Sequence, residues 1–399
     1  MNEENYDMQQ SSAARSVDVT FNNSTKFDLH LRGTSIPHGI FNPGPPDVIS
    51  AGKSAKWGSE SSGILTGTEA LAYYTVESST VEFQLYWDNP AIGANSYSAA
   101  VINNNGKYSI SKAGTSGNNS SVTFSVYMES DWSYNSWMKD IDGDKLVSQL
   151  SIPGTHESCA TYSPDGDILG VVICQDSTIT SQLENGIRFL DIRCRAIDGV
   201  FAIHHGLVYQ NINFGEVLNE CIGFLSKNPS EIVFMRIKQE YSEVSDTEFI
   251  EIFNEKYGSF HSHMYLNSDI PTVAQVRGKI VVLSNVSGLP GIPWNGLQVQ
   301  DEYNPSSFYR KVAEISKHFD KAIHDHSSGG KNFFVNFISK QGVPTVQTIR
   351  QAAERLNPEV INMLHEKGGA MGGIGVGIVP MDFPNHSDGV IYTIIESNY

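Results

Sequence analysis

The sequence predicts a two-domain protein, with an N-terminal antiparallel β-sandwich followed by a C-terminal (β/α) TIM-like barrel. Three observations lead to this prediction. The chain has 399 residues, which exceeds the usual size of one domain and suits two. Apolar and polar residues alternate with a period of two in the first third of the chain. After that point, strand-like and helix-like segments follow one another.

Residues 16–130 have the pattern of half-buried strands throughout. Val17, Val19 and Phe21 alternate with polar residues, and the same period recurs around Phe124. Turn-rich segments such as NNNG and GTSGNNSS separate the apolar runs. No amphipathic helix is visible in this part of the sequence, so we expect a sandwich of antiparallel strands.

Residues 131–399 alternate between helix and strand patterns. This alternation predicts a parallel sheet, and the length fits a (β/α) barrel, with a doubly wound sheet as the alternative. Strands are predicted at 231–238, 279–284, 332–339 and 373–380, and helices at 214–225, 246–257, 306–324 and 346–365.

The net charge argues against nucleic acid as a partner. The formal charge is −17, whereas phosphate binding requires a surplus of Lys and Arg. An anionic membrane would also repel the chain, so contact with lipid would need aromatic side chains, local basic residues or a head-group site. We expect residues 1–15 to be a polar tail, because they lack the apolar core of a signal peptide, and no run of 18 apolar residues predicts a membrane span.

The sequence contains no recognisable metal motif. No CxxC pair is present, so we expect free thiols instead of a zinc or redox site. The segment DIDGD at 140–144 lacks the residue order of an EF-hand calcium loop and its closing Glu. The cysteines are Cys159, Cys174, Cys194 and Cys221.

Several apolar runs of the second domain end in charged or imidazole side chains. In a parallel barrel the carboxyl ends of the strands meet at one rim, where catalysis takes place. Any one of these residues alone would suit a surface, capping or structural ion-pair position, but their joint pattern favours a shared site. They are His156 and Glu157; Asp191, Arg193 and Arg195; His204 and His205; Lys238 and Glu240; Asp301 and Tyr303; and Asp382.

The motifs that carry these residues resemble the X region of phosphatidylinositol-specific phospholipase C, in its bacterial, metal-independent form. They are SIPGTHES, ENGIRFLDIRCR, IHHGLVY and FLSKNPSEIVFMRIKQEY. The resemblance runs from about Trp137 to the C-terminus, is strongest over 147–241, and continues in VQDEY and PMDFP. It implies attack of the inositol 2-hydroxyl on phosphorus in phosphatidylinositol or a glycosylated anchor. Diacylglycerol and inositol 1,2-cyclic phosphate are then the products.

The resemblance also implies roles for individual residues. His156 is the general base, oriented by Asp382, and His205 is the general acid, held by Asp191. Arg193 stands where metal-dependent relatives carry an acidic calcium ligand. A guanidinium can neutralise a phosphate without an ion, so we expect no calcium and no other cofactor.

The same resemblance places the inositol pocket and shows two departures from the family pattern. Glu157 stands where an aspartate is common, and Asn285 stands where an arginine is expected. Both positions put the head-group preference and the rate in question, because a misplacement of about 1 Å can cost about 100-fold. The residues matched to the pocket are Lys238, Glu240, Asp301 and Tyr303.

The N-terminal domain resembles the aegerolysins and the small insecticidal crystal proteins. The resemblance rests on TFNNSTKFDL, WGSESSGILTGTEA and YWDNPAIGANSYS, and it implies binding of membrane lipids, in some members with a partner protein. Trp57, Tyr86, Trp87 and Tyr97 suit either a sandwich core or a lipid interface. We therefore expect an enzyme that acts at a membrane surface, outside the cell or after release.

Two other interpretations of the sequence remain. The protein is a lipid-binding toxin component with a weak or silent barrel if Glu157 and Asn285 abolish efficient turnover. A metal-dependent phosphodiesterase of the same barrel class is the second, and Arg193 argues against it.

Overall fold

The computed structural model describes residues 14–63, 65–76, 79–104, 107–128, 132–242, 244–340, 348–368, 373–387 and 389–399. Most of the predicted N-terminal tail, and the predicted domain boundary itself, lie outside these residues. The chain divides into two compact units, Met1–Glu129 and Ser130–Tyr399.

The N-terminal unit is built from strands, as the period-two pattern predicts. They form two five-stranded sheets, with the orders β3-β5-β1-β10-β9 and β4-β2-β6-β7-β8. The strands are β1 (Ser16–Ser24), β2 (Leu29–His38), β3 (Ile40–Phe41), β4 (Val48–Ile49), β5 (Ser54–Glu60), β6 (Thr68–Val76), β7 (Glu82–Asn89), β8 (Ser96–Ile102), β9 (Tyr108–Gly114) and β10 (Asn119–Met128).

One strand pair departs from the predicted antiparallel arrangement. β1 and β10 run parallel, with Ser16 opposite Asn119 and Ser24 opposite Tyr127. The chain passes through the second sheet before it returns to pair with β1, so no hairpin connects the two strands and their directions need not be opposed. The first sheet is therefore mixed.

Both sheets of the N-terminal unit contribute to one hydrophobic cluster. Trp57 of β5 and Trp87 of β7 are fully buried, with ring centroids 6.2 Å apart. The indole nitrogen of Trp87 donates to Ser59 Oγ at 2.8 Å. These two aromatic side chains therefore belong to the core and do not reach a lipid interface.

The C-terminal unit alternates strands and helices, and its elements follow the predicted order. Among the described residues, none of its helices has the length and apolar character needed to cross a bilayer. The strands are β11 (Ser151–Thr155), β12 (Phe189–Ile197), β13 (Val200–His205), β14 (Val208–Asn213), β15 (Val233–Gln239), β16 (Met264–Tyr265), β17 (Ile280–Asn285), β18 (Ile292–Pro293), β19 (Gln298–Gln300), β20 (Phe334–Asn336) and β21 (Gly377–Met381). The helices are α1 (Ile179–Glu184), α2 (Phe214–Lys227), α3 (Asp246–Tyr257), α4 (Val273–Val276), α5 (Phe308–Ser327), α6 (Ile349–Glu366) and α7 (Val390–Glu396).

The strands of this unit form a curled parallel sheet with the order β16-β17-β15-β12-β11-β21-β20-β19. Within the described residues no pairing joins β16 to β19, so the predicted TIM-like barrel takes the form of a curled, open half-barrel. The two edge strands are only two and three residues long, which leaves few backbone groups for closure. The central strands β11, β12 and β15 place their carboxyl ends side by side.

The strand that carries the two adjacent histidines is not part of the parallel path. β13 pairs antiparallel with β12 and continues into β14 as a hairpin. Cys194 lies opposite Ile203, so the hairpin brings His205 back toward the level of Arg193. His205 therefore reaches the rim through a hairpin and not through the carboxyl end of a barrel strand.

Candidate active site

His156 and Asp382 are neighbours because their strands are. β11 and β21 run parallel with Thr155 opposite Met381, and the next residue in each chain segment carries the functional side chain. His156 Nδ1 lies 2.9 Å from Asp382 Oδ1. Gln175 Nε2 donates to the carbonyls of both His156 and Met381, at 2.8 and 2.9 Å, and ties the two strand ends together.

The contacts of His156 define its tautomer. Arg193 Nη2 lies 3.2 Å from His156 Nε2 and, as a guanidinium, only donates. Nε2 is therefore the unprotonated nitrogen, and Nδ1–H donates to Asp382. Burial lowers the pKa of His156, but the charge and hydrogen bond of Asp382 outweigh burial, so its pKa lies above the ordinary value. The result is an imidazole prepared to accept a proton at Nε2.

Arg193 is held by carboxylates on three sides. Its Nη2 donates to Asp191 Oδ2 at 3.2 Å, its Nη1 pairs with Glu157 Oε1, and Glu240 lies 3.9 Å from Nη1. Asp191 and Arg193 lie on one face of β12, as strand alternation predicts. Burial lowers the pKa of Arg193, but the negative charges of these carboxylates raise it by more than burial lowers it. The guanidinium therefore stays charged.

His205 is held differently from the prediction. Its Nδ1 lies 2.6 Å from the Val172 carbonyl oxygen, which only accepts, so Nδ1 carries a proton. Its Nε2 lies 3.8 Å from Glu157 Oε1. The expectation that Asp191 holds His205 is wrong, because both oxygens of Asp191 accept from guanidiniums, those of Arg193 and Arg236.

Glu157 links Arg193 to His205. It is buried and adopts a left-handed backbone conformation, with φ of 43°, which is uncommon for a residue other than glycine. Burial raises the pKa of Glu157, while Arg193, His205 and His156 oppose that rise. The Glu157 side chain is one methylene longer than the aspartate common at this position, and it contacts the Arg193 guanidinium.

Two further residues are neighbours of His205: His204 precedes it in sequence, and Cys174 contacts it. His204 is buried and packs against Tyr209, with ring centroids 5.7 Å apart. Cys174 Sγ lies 3.9 Å from His205 Nδ1, a contact that the sequence did not predict. Burial raises the pKa of the Cys174 thiol well above its ordinary value, so it stays protonated.

The predicted inositol pocket residues fall into two groups. Lys238 of β15 has its Nζ 3.1 Å from Oε2 of Glu240, the residue that follows the strand. Asp301 and Tyr303 follow β19, and the Tyr303 side chain is 56% exposed. Lys311 of α5 was not predicted; burial lowers its pKa to about 8, and Asp301 opposes this shift.

Arg236 is the main residue that sequence reasoning missed. It lies on β15 two positions before Lys238, so the same alternation that placed Lys238 in the site was a signal for it. Its Nη1 donates to Asp191 Oδ1 at 3.2 Å, and its Nε and Nη2 donate to Asn285 Oδ1 at 2.9 and 2.6 Å. The guanidinium lies 4.1 Å from the centre of the Trp294 ring.

Among the described residues, one group of side chains has the spacing of metal ligands. Ligand atoms of His156, Cys174 and Asp382 lie within 4.8 Å of one another. The Arg193 guanidinium, 3.2 Å from His156 Nε2, would oppose a cation there, and the Cys174 thiol is protonated. The residues therefore suit hydrogen bonding better than metal binding, and the sequence DIDGD does not contribute to the group.

Known proteins are similar to this chain in sequence. The family model for the phosphatidylinositol-specific phospholipase C X domain matches residues 151–285. The 1-phosphatidylinositol phosphodiesterase of Staphylococcus aureus is 31% identical over 296 residues, which cover 66% of this chain and 93% of the relative. That of Listeria monocytogenes is 32% identical over 287 residues, which cover 66% of this chain and 84% of the relative.

Solved structures of the same kind of enzyme match the fold. A phosphatidylinositol-specific phospholipase C from Staphylococcus aureus aligns with a TM-score of 0.60 and 28% identity, over 67% of this chain and 98% of the other. The enzyme from Listeria monocytogenes aligns with a TM-score of 0.57 and 30% identity, over 67% of this chain and 100% of the other. This chain therefore belongs to the phosphatidylinositol-specific phospholipase C family of enzymes.

Proposed function

We propose that this protein cleaves phosphatidylinositol, or its glycosylated form, to diacylglycerol and inositol 1,2-cyclic phosphate without a metal ion. One observation carries the proposal. The Arg193 guanidinium lies 3.2 Å from His156 Nε2 and is paired through Nη1 with Glu157, whose carboxylate lies 3.8 Å from His205 Nε2. A phosphate bound to Arg193 is thereby within reach of an imidazole on either side.

The reaction begins with His156. As the inositol 2-hydroxyl oxygen attacks phosphorus, its proton passes to His156 Nε2, and Asp382 stabilises the resulting imidazolium. Arg193 donates to the non-bridging phosphate oxygens, where negative charge increases in the transition state. A guanidinium in this position supplies the charge neutralisation for which other phosphodiesterases use a divalent ion.

The leaving group requires a proton, which His205 supplies. The bond between phosphorus and the glycerol oxygen breaks, and Nε2–H of protonated His205 transfers its proton to that oxygen. The Val172 carbonyl accepts from Nδ1–H and keeps Nε2 as the nitrogen that gives and regains the proton. Glu157 Oε1 lies 3.8 Å from this nitrogen.

The inositol ring binds beside this phosphate position. Lys238, Glu240 and Asp301 offer charged partners to the ring hydroxyls, and exposed Tyr303 offers an aromatic face. Charged groups of both signs at one place suit a polyol, because hydroxyl groups both donate and accept.

Product analysis in EDTA tests the proposal. We expect inositol 1,2-cyclic phosphate from phosphatidylinositol vesicles at an undiminished rate, and a loss on the order of 10³-fold in kcat for His156→Ala and for His205→Ala. His324→Ala, at a position in α5 outside the site, is the matched control and should retain full activity. Full turnover in either active-site variant, or dependence of the wild-type rate on a divalent ion, would contradict the mechanism.

We further propose that the N-terminal unit binds membrane lipid and delivers the barrel to its substrate, alone or with a partner protein. The proposal is supported by the resemblance of its loop segments to lipid-binding proteins. Ile92, in the loop after β7, is 94% exposed and is suited to contact an apolar surface. Binding to lipid through one unit raises the local substrate concentration at the other.

A further inference from the structure

The family resemblance leads us to expect an arginine at position 285, where this chain has Asn285. The guanidinium of Arg236 lies beside Asn285. Arg236 and Asn285 lie on the neighbouring parallel strands β15 and β17. Two guanidinium nitrogens of Arg236 donate to the single Oδ1 of Asn285, at 2.9 and 2.6 Å. The positive charge expected at the end of β17 is therefore present, but it comes from the adjacent strand.

Arg236 also reaches the catalytic half of the site. Its remaining terminal nitrogen, Nη1, donates to Asp191 Oδ1 at 3.2 Å, while the other oxygen of Asp191 accepts from Arg193 at 3.2 Å. Burial would raise the pKa of Asp191, but the two guanidiniums lower it below the ordinary range, so this carboxylate is charged at neutral pH. Arg236 and Arg193 thus share one carboxylate.

Two aromatic rings lie close to the Arg236 guanidinium. The Trp294 ring packs against the guanidinium at 4.1 Å, and Phe337 lies 5.7 Å from it and 5.9 Å from the His156 ring. Burial lowers the pKa of Arg236, and Asp191 and Asp301 oppose that shift by their negative charge. The charge of Asp301, a predicted ring-binding residue, therefore acts on the same guanidinium as that of Asp191.

We propose that Arg236 replaces the arginine expected at position 285. It positions Asp191, and through it Arg193, and it supplies the positive charge that the inositol pocket needs beside Asn285. Asn285 is then the matched partner, because a second guanidinium at that position would repel Arg236 and leave its donors without an acceptor. The inference rests on the proposed function, because the ring pocket is the one assigned there.

Substitution of Arg236 separates this role from a merely structural one. Arg236→Met removes the charge and the hydrogen bonds, so we expect kcat/KM for phosphatidylinositol to fall about 10- to 100-fold. KM should rise and kcat should fall, and the inhibition constant of free inositol should rise with KM. Arg236→Lys keeps the charge without the planar fork and should lie between. Arg310→Met, on the exposed side of α5, is the control and should change neither parameter.

Moving the arginine back to β17 gives the sharper test. Asn285→Arg alone should lower kcat/KM, because two guanidiniums then compete for one place. The double variant Arg236→Met/Asn285→Arg should recover about tenfold or more over Arg236→Met, with the inositol inhibition constant restored. Thermal unfolding of each variant, followed by circular dichroism, identifies the folded ones that are compared.

The possible outcomes are distinct. A wild-type enzyme that releases no inositol cyclic phosphate contradicts the proposed function itself. If the wild type is active and Arg236→Met keeps its KM, kcat and inositol inhibition, the role of Arg236 alone is refuted. If Arg236→Met fails to fold, the double variant is compared with Asn285→Arg instead. A double variant that is no more active than Asn285→Arg would also refute the proposal that Arg236 replaces an arginine at position 285.

Discussion

Asp382 determines how basic His156 is. Burial lowers the pKa of this imidazole and the Arg193 guanidinium lowers it further, but the carboxylate 2.9 Å from Nδ1 more than compensates. A base with a raised pKa accepts a proton more readily, yet it is also blocked by protonation at a higher pH. The pH dependence of catalysis therefore reports on this pair.

Replacement of Asp382 by asparagine should shift the acidic limb of the pH profile. In the wild type we expect the midpoint of the acidic limb of kcat/KM above the ordinary imidazole value of 6.5, because His156 must be neutral to act. Asp382→Asn removes the negative charge, so the midpoint should move to lower pH while the maximal rate falls about 10- to 100-fold. Rates measured from pH 4 to 9 check this, and an unmoved acidic limb would assign it to another group.

Sequence reasoning predicted the residues that follow a strand or alternate along it. His156, Asp382 and the pair Asp191 and Arg193 were placed by these rules, and the structure brings them together. Sequence reasoning did not predict that Glu157 approaches His205 in place of Asp191, because this contact depends on the left-handed backbone conformation at residue 157. The repeat of apolar and polar residues along a strand does not indicate the backbone conformation at a single position.

The loop before α1 acts on His205 through its main chain. The Asp167 carboxylate accepts from the backbone N–H groups of Val171, Val172 and Ile173 at 2.8, 3.0 and 2.9 Å. These bonds fix the peptide whose carbonyl accepts from His205. The loop therefore orients the imidazole through a main-chain carbonyl, beside the Cys174 thiol that also contacts it.

Loss of the Asp167 carboxylate should slow catalysis without weakening substrate binding. In Asp167→Ala the Val172 carbonyl is no longer held, so we expect kcat to fall about tenfold, the value of one well-placed hydrogen bond, with KM unchanged. Asp28→Ala, which removes a backbone-binding carboxylate in the N-terminal unit, is the control. Steady-state kinetics on phosphatidylinositol decides; an equal change in both variants would remove the assigned role.

Helix and strand predictions succeeded where periodicity was long and failed where pairing direction mattered. The predicted helix 246–257 has the bounds of α3, and the strand at 279–284 is β17 with a shift of one residue. The antiparallel β13–β14 hairpin was not predicted, because an apolar run has the same appearance in either direction. The open side of the sheet, where the described strands β16 and β19 do not pair, was not predicted either, since pairing of short edge strands has no local signal.

The charge of the whole molecule affects how it meets a bilayer. At −17, long-range electrostatics oppose approach to an anionic surface and do not affect a zwitterionic one. Recruitment by the N-terminal unit would therefore depend on short-range contact. The two units have separate hydrophobic cores, so each buries its own apolar surface.

Vesicle sedimentation of full-length His156→Ala tests this at the scale of the molecule. We expect binding to phosphatidylcholine vesicles to weaken as phosphatidylserine is added at low salt, and 0.5 M salt to remove the difference. Ile92→Asp should reduce binding, while Ile168→Asp, at an isoleucine of the C-terminal unit that is 82% exposed, should have the smaller effect. The reverse order of the two variants would assign lipid contact to the barrel and contradict targeting by the N-terminal unit.

The acceptor of His205 Nδ1 has an evolutionary consequence. A peptide oxygen is present whatever amino acid occupies position 172, so no ordinary codon change there deletes this bond. Substitutions at position 172 are tolerated as long as the segment keeps its backbone conformation. An insertion or deletion between residues 167 and 173, in contrast, displaces the carbonyl oxygen. In homologous enzymes the length of this segment should therefore be preserved more strictly than its composition.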